Sequence, residues 1–457
     1  MKLLLGSVWS PRWGREKLPI LATYQLAGIA RAQGYDVDVL DPSAPRTAQA
    51  SGRELHGYDL IGLSANSFTW PETLTWIQAA RAHHPDIPIV LGGVHPSFCD
   101  EHCLRVSGAS FVVRLEGEAA LVALCEYIEG RRSLAHVPNL TYLDRDGNVV
   151  RNEQGPMLSK RELEDLPLPA LDLVPAGVYQ TMPIESARGC AYNCWFCGIT
   201  YRQRWRGLST RHVMRAVDHA LSFGDRFLGR RVFFADDCFS IDPKRTIEIW
   251  DELRDNDRGA SYCFEVRIRD VLRMDAIRHL DDVPCSRCLV GVESGYDAAL
   301  ERMGKYLTIA ETTEFARRVR NMSFRRSVWW SYIIGFPWET LAEIKQTVEF
   351  AFRTALLARG SIPSLCTFSV LPGSMSYDDV GTVAHSHYDR SDWDQKSCQY
   401  CDLTRGERRE LDAFLAAWRN KFQLLQAFGE QGWGGLSREA MSHMVEGAGQ
   451  AARVDGD

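Results

Sequence analysis

Three cysteines within eight residues, Cys190, Cys194 and Cys197, are the side chains of this sequence whose type and spacing most directly imply chemistry. Thiolates are soft ligands suited to iron–sulfur clusters, and a four-iron cluster ordinarily takes four of them. A C-x3-C-x2-C run with no fourth cysteine in the loop leaves one iron open, and catalytic metal sites keep such a position. The competing readings are a zinc knuckle, which would want a fourth ligand close by, or three buried thiols. Gly189 and Gly198 flank the run, where the lack of a Cβ lets the backbone turn tightly around a common centre.

The elements that would carry this loop follow from hydrophobic patterning. The 457 residues suffice for two or three domains, and 45% hydrophobic with 25% charged residues is ordinary for a globular chain. A net charge of −6 gives no electrostatic case for nucleic acid, and no apolar run reaches the length of a membrane span. Met1 to Gly6 reads as a first strand and not as a signal peptide; thirteen cysteines without one imply thiols or metal ligands in a reducing cytoplasm.

Residues 1–135 alternate strands (2–8, 35–40, 60–64, 87–91, 111–114) with helices (18–33, 71–83, 119–129). That order predicts an α/β, Rossmann-like, doubly wound parallel sheet, whose ligands bind beyond the carboxyl ends of the strands. The rim so defined carries Ser7, Val8 and Trp9, then Ser64 and Asn66, Gly92, Gly93 and His95, and Glu116, Gly117 and Glu118. Residues 136–180 read as a hairpin around Asp146-Gly147-Asn148 and a proline-punctuated linker. Over 181–375 six strands near 184–187, 231–235, 263–268, 288–293, 328–335 and 365–370 alternate with helices, and chemistry belongs at their C-terminal ends. Residues 376–457 hold His385, His387, Trp393, Cys398 and Cys401, a helix over 408–428 and a small, polar, disordered tail. Cys398-x2-Cys401 and Cys285-x2-Cys288 read more simply as thiols than as a second metal site, and one of Trp329 and Trp330 should face the barrel interior.

The cysteine loop, with Phe196 before its last cysteine, resembles the cluster motif of radical S-adenosylmethionine (SAM) enzymes. The resemblance implies a partial (β/α)6 barrel and a [4Fe-4S] cluster on Cys190, Cys194 and Cys197. The open iron would bind the amino and carboxylate groups of SAM, which one electron cleaves to methionine and a 5′-deoxyadenosyl radical. It further implies that Asp236 or Asp237 faces the SAM ammonium, with only one of two adjacent acids in contact. Arg267 or Arg269 would hold the methionine carboxylate or pair with an acid; Glu293 and Ser294 would contact ribose; the segment with Gly335 would bind adenine. Ahead of the loop, Tyr58 to Ser64, Gly92-Gly93-Val94-His95 and Glu116-Gly117-Glu118 resemble the cobalamin-binding domain of one radical SAM subgroup. The lower-ligand motif D-x-H-x-x-G is absent: after Asp100 and His102 comes Arg105 where the glycine would stand. A Rossmann-like domain without a cofactor is the alternative.

The resemblance implies a cobalamin-dependent radical SAM methyltransferase acting on an unactivated carbon of a small molecule, a secondary metabolite by analogy. It would use two SAM molecules, one methylating cobalamin and one giving the radical, with an external electron donor such as flavodoxin or ferredoxin. A rearrangement, cyclisation or simple hydrogen abstraction is the second enzymatic reading; a scaffold on a degenerate radical fold is the non-enzymatic one.

Overall fold

The computed structural model describes residues 1–8, 10, 18–43, 52–359, 361–380 and 398–431. Trp9, His385, His387, Trp393 and the tail from 447 lie outside them. Seven strands form the first sheet: β1 (Lys2–Gly6), β2 (Asp36–Leu40), β3 (Leu60–Ser64), β4 (Ile89–Gly92), β5 (Phe111–Val113), β6 (Leu140–Leu143) and β7 (Val149–Arg151). Their order is β2-β1-β3-β4-β5-β6-β7. β1 to β5 run parallel, so the connections reverse direction between β1 and β3, the switch point of a doubly wound sheet. Successive side chains of β1 enter opposite layers: Leu4 packs with Trp70, Trp76 and Leu104, and Leu3 and Leu5 with Ala27, Ala30 and Leu124. Helices therefore cover both faces, as a parallel sheet requires.

The hairpin expected in the linker pairs instead with this sheet. Val112 and Val113 of β5 meet Thr141 and Leu140 of β6 in antiparallel register, which makes the sheet mixed. An uncovered β5 would present unpaired backbone groups, and the hairpin removes that edge. Arg151 on β7 anchors it to the opposite layer by a 2.8 Å ion pair with Asp100, the acid of the would-be lower-ligand motif.

The second sheet is all parallel. It comprises β8 (Thr181–Ile184), β11 (Arg231–Phe234), β12 (Ser261–Val266), β13 (Cys285–Glu293), β14 (Val328–Ile334) and β15 (Ile362–Thr367), in order β15-β14-β13-β12-β11-β8. A short antiparallel pair, β9 (Ala187–Arg188) and β10 (Arg206–Gly207), brackets the cysteine loop. β15 and β8 do not pair among the described residues, so the barrel is partial. β15 begins three residues earlier than its pattern suggests because Pro363 is tolerated on an edge strand. On β14, Trp330 is fully buried against Phe315 of the outer helix layer, while Trp329 faces the interior beside Arg287. Ser209, Asp242, Thr308 and Thr340 each cap the helix that follows, satisfying amide groups that the first turn leaves free. The helix Arg405–Gln431 docks on Leu341–Leu357 through Trp418 against Phe352, with Cys398 and Cys401 in the same apolar cluster. Among the described residues no helix is long and apolar enough to cross a membrane.

Candidate active site between the two sheets

The cysteine loop is pinned at its entry. Asp236, at the end of β11, is 3% exposed and accepts hydrogen bonds from the backbone N–H groups of Ser186 (2.7 Å) and Ala187 (2.9 Å) and from the Ser186 hydroxyl. Burial pushes its carboxyl up to about 6. Within the loop, Cys190 N donates to Tyr201 O at 3.1 Å, Cys197 N to Cys194 O at 3.1 Å and Trp195 N to Met303 O at 2.9 Å. Gly189 has φ +81°, and a Cβ there would stand 2.6 Å from Arg204 O. Cys190 and Cys194 are buried and Cys197 half-buried. Burial raises the Cys190 thiol, and that of Cys197 to about 12, so both take up metal with loss of a proton. No three His, Cys, Asp or Glu side chains among the described residues are placed to share one metal ion. Three thiols on one rigid loop, each free of disulfide bonding, fit a cluster that takes one thiolate per iron.

A cavity of about 750 Å³ separates this loop from the carboxyl edge of the first sheet. Ser64, Gly92, Gly93, Glu116, Gly117 and Glu118 line it from one side; Phe196, Cys197, Gly198 and Asp237 line it from the other. A methyl group built on Gly92 or Gly117 would meet no atom closer than 3.9 Å, so it would project into the space that a ligand would use. Gly93 holds φ +94°, and a Cβ would meet Ala65 O at 2.6 Å. A broad, flat cofactor fits such a floor, because backbone and not side chains forms its surface.

Of the two adjacent acids, Asp237 faces the cavity and Asp236 does not. Burial, reinforced by Glu185, raises the Asp237 carboxyl. Glu116 and Glu118 line the cavity with their charges already committed. Arg188 pairs with Glu118 (2.7 Å), Glu116 (3.2 Å) and Glu185 (2.8 Å), and Arg206 with Glu116 (2.5 Å), all but Glu185 at 12% side-chain exposure or less.

Several residues expected at the cofactors stand behind the cavity wall. His95 is fully buried, stacked on Trp70 with Nδ1 3.1 Å from Ser67 Oγ. Asn66 Oδ1 accepts from Phe68 N and Thr69 N and closes a turn. Arg267 lies against Cys194 and Tyr192. Glu293 sits at a bulge in β13 with φ +78° and is ion-paired to Lys305 at 3.0 Å. Ser294 is fully buried, its Oγ 3.5 Å from Thr347 Oγ1. Gly335, at φ +88°, donates its N–H to Glu339 and packs on Cys398. Sequence reasoning missed Arg188 and Tyr201 as cavity residues; the only signal was the position of Arg188 directly before Gly189-Cys190.

Residues 16–125 match the family described as B12 binding domain, and residues 184–351 match the radical SAM superfamily. An uncharacterized methyltransferase of Pyrococcus horikoshii is 26% identical over 344 residues, 73% of each chain. The anaerobic magnesium-protoporphyrin IX monomethyl ester cyclase of Rubrivivax gelatinosus is 25% identical over 75% of this chain and 62% of its own length. The cobalamin-dependent SAM radical enzyme OxsB, solved with aqua-cobalamin and SAM bound, superposes with a TM-score of 0.75 at 19% identity, over 98% of this chain and 71% of that one, which establishes the shared fold. With a B12-binding sheet, a radical SAM barrel and a three-cysteine loop facing one cavity, the chain belongs to the cobalamin-dependent radical SAM enzymes, whose cofactors are cobalamin, SAM and a [4Fe-4S] cluster.

Proposed function

We propose that this enzyme transfers a methyl group to an unactivated carbon of a small molecule held between the two sheets. The observation that carries the reading is the single cavity into which Cys197, Asp237 and the glycine edge of β4 all open. When bound, the cluster supplies the electron that splits SAM, and cobalamin supplies the methyl carrier. Cys190, Cys194 and Cys197 hold the cluster, and Asp237 takes the SAM ammonium. Phe196 and Ile333 give the cavity an apolar wall that excludes water, while Asp236 keeps the loop entry in place without touching the cofactor. The substrate is a small molecule, and the electron comes from an external donor of the flavodoxin or ferredoxin class. A second reading, rearrangement or cyclisation without methyl transfer, is favoured by the cyclase among the relatives.

The deciding experiment begins with cobalamin, iron and sulfide content in protein purified without oxygen from cobalamin-supplied cells. Candidate substrates are then incubated with reductant and methyl-labelled SAM. Methyl transfer gives both S-adenosylhomocysteine and 5′-deoxyadenosine, with label in the product. 5′-Deoxyadenosine alone would overturn it for the second reading. Replacing any of the three loop cysteines with alanine is expected to abolish 5′-deoxyadenosine and the labelled product.

A further inference from the structure

Arg267 follows β12 directly and is 8% exposed. Its Nη1 donates to Cys194 Sγ at 3.7 Å, and its Nη2 donates to Lys305 O. The guanidinium lies 3.5 Å from the ring centroid of Tyr192, which is itself part of the cysteine loop. The Tyr192 hydroxyl donates to Asp270, and Asp270 Oδ2 is 4.0 Å from Arg267 Nε. The Arg267 backbone N–H donates to Ser240 Oγ at 2.9 Å. Protein groups thus hold this cation against the cysteine loop, and the lining of the cavity does not include it.

We infer that Arg267 is a positioning residue that donates a hydrogen bond to the Cys194 thiolate and raises the reduction potential of the cluster. The inference rests on the cluster reading given above. Reduction adds one electron, with no proton required, to a cluster whose sulfur ligand lies against a buried cation. The reduced, more negative state gains more from that cation than the oxidised state does. Hydrogen bonds to the sulfurs and local net charge are among the factors that set cluster potentials, and low dielectric strengthens the effect. The planar fork of arginine serves Cys194, Lys305 and the Tyr192 face together, which a lysine point charge cannot do.

The test is an anaerobic redox titration of the reconstituted full chain with dithionite and mediators, followed by electron paramagnetic resonance of the reduced cluster. Wild type, Arg267→Met and Arg267→Lys are compared, with iron and sulfide measured in each. At a fixed potential, Arg267→Met is expected to lower the reduced-to-oxidised ratio at least tenfold, a midpoint about 59 mV lower for a one-electron couple. Arg267→Lys, which keeps the charge and loses the fork, is expected to fall between. If Arg267→Met does not load a cluster, a lowered midpoint in Arg267→Lys carries the result. An unmoved midpoint in a fully loaded variant overturns the inference and leaves the cluster reading standing. A wild-type chain that takes up no iron overturns that reading and the inference with it.

Discussion

Glu265, on β12, is a half-buried carboxylate whose side chain has no hydrogen-bond partner among the described residues. Burial first, then Asp237, Asp236 and Glu293, push it up to about 7. The folded chain therefore keeps the Glu265 proton through a window in which the unfolded chain has lost it. This contribution to stability is complete below about pH 4.5 and disappears as pH rises through 7. Glu265→Gln should flatten the decline in stability between pH 5 and 7 by about 2 kcal/mol, read from denaturant unfolding of the cofactor-free protein. An unchanged pH slope would refute the assignment. The sequence reads Glu265 only as one charge in an alternating run. Which acid faces what depends on partners far away in the chain, and the same holds for Asp236 and Asp237: their adjacency predicts that only one reaches the cavity, while Ser186 and Ala187 decide which.

At the scale of elements, β9 and the first turn of the helix Glu118–Ile128 are joined by charge. Arg188 and Glu118 are 70 residues apart in sequence, so no local pattern could pair them. The sequence shows an arginine before the cysteines and two acids on a sheet rim, and only the packing of one sheet edge on the other makes them partners. Breaking a buried pair costs about 3–5 kcal/mol, because the remaining charge stays uncompensated. Arg188→Glu should lose stability of that order, and adding Glu118→Arg in the same chain should restore part of it. A double-mutant cycle measures the coupling, and zero coupling would show that the pair does not hold the two elements together.

For the whole molecule, a ligand in the cavity touches both sheets, so it should stabilise them jointly. Saturating SAM and cobalamin at 100 times their dissociation constants adds about 2.7 kcal/mol per site. Amide exchange should then slow in the rim after β4 and in the loop between β9 and β10 together; protection of one alone would argue against a shared site. The broad architecture was legible because strand–helix alternation and cap residues are local signals. The edge hairpin joining the first sheet was not, since its place depends on β5 needing a neighbour.

The salt-bridged seam also constrains how such enzymes can be recombined. Glu116 and Glu118 lie in the first sheet unit, while Arg188 and Arg206 flank the cysteine loop. A chimera that joins this first sheet to another barrel inherits two buried acids in want of their bases. Transplanting the fragment 1–157 is expected to work only into recipients with arginines at both corresponding positions, which makes the seam a compatibility code for building hybrid enzymes.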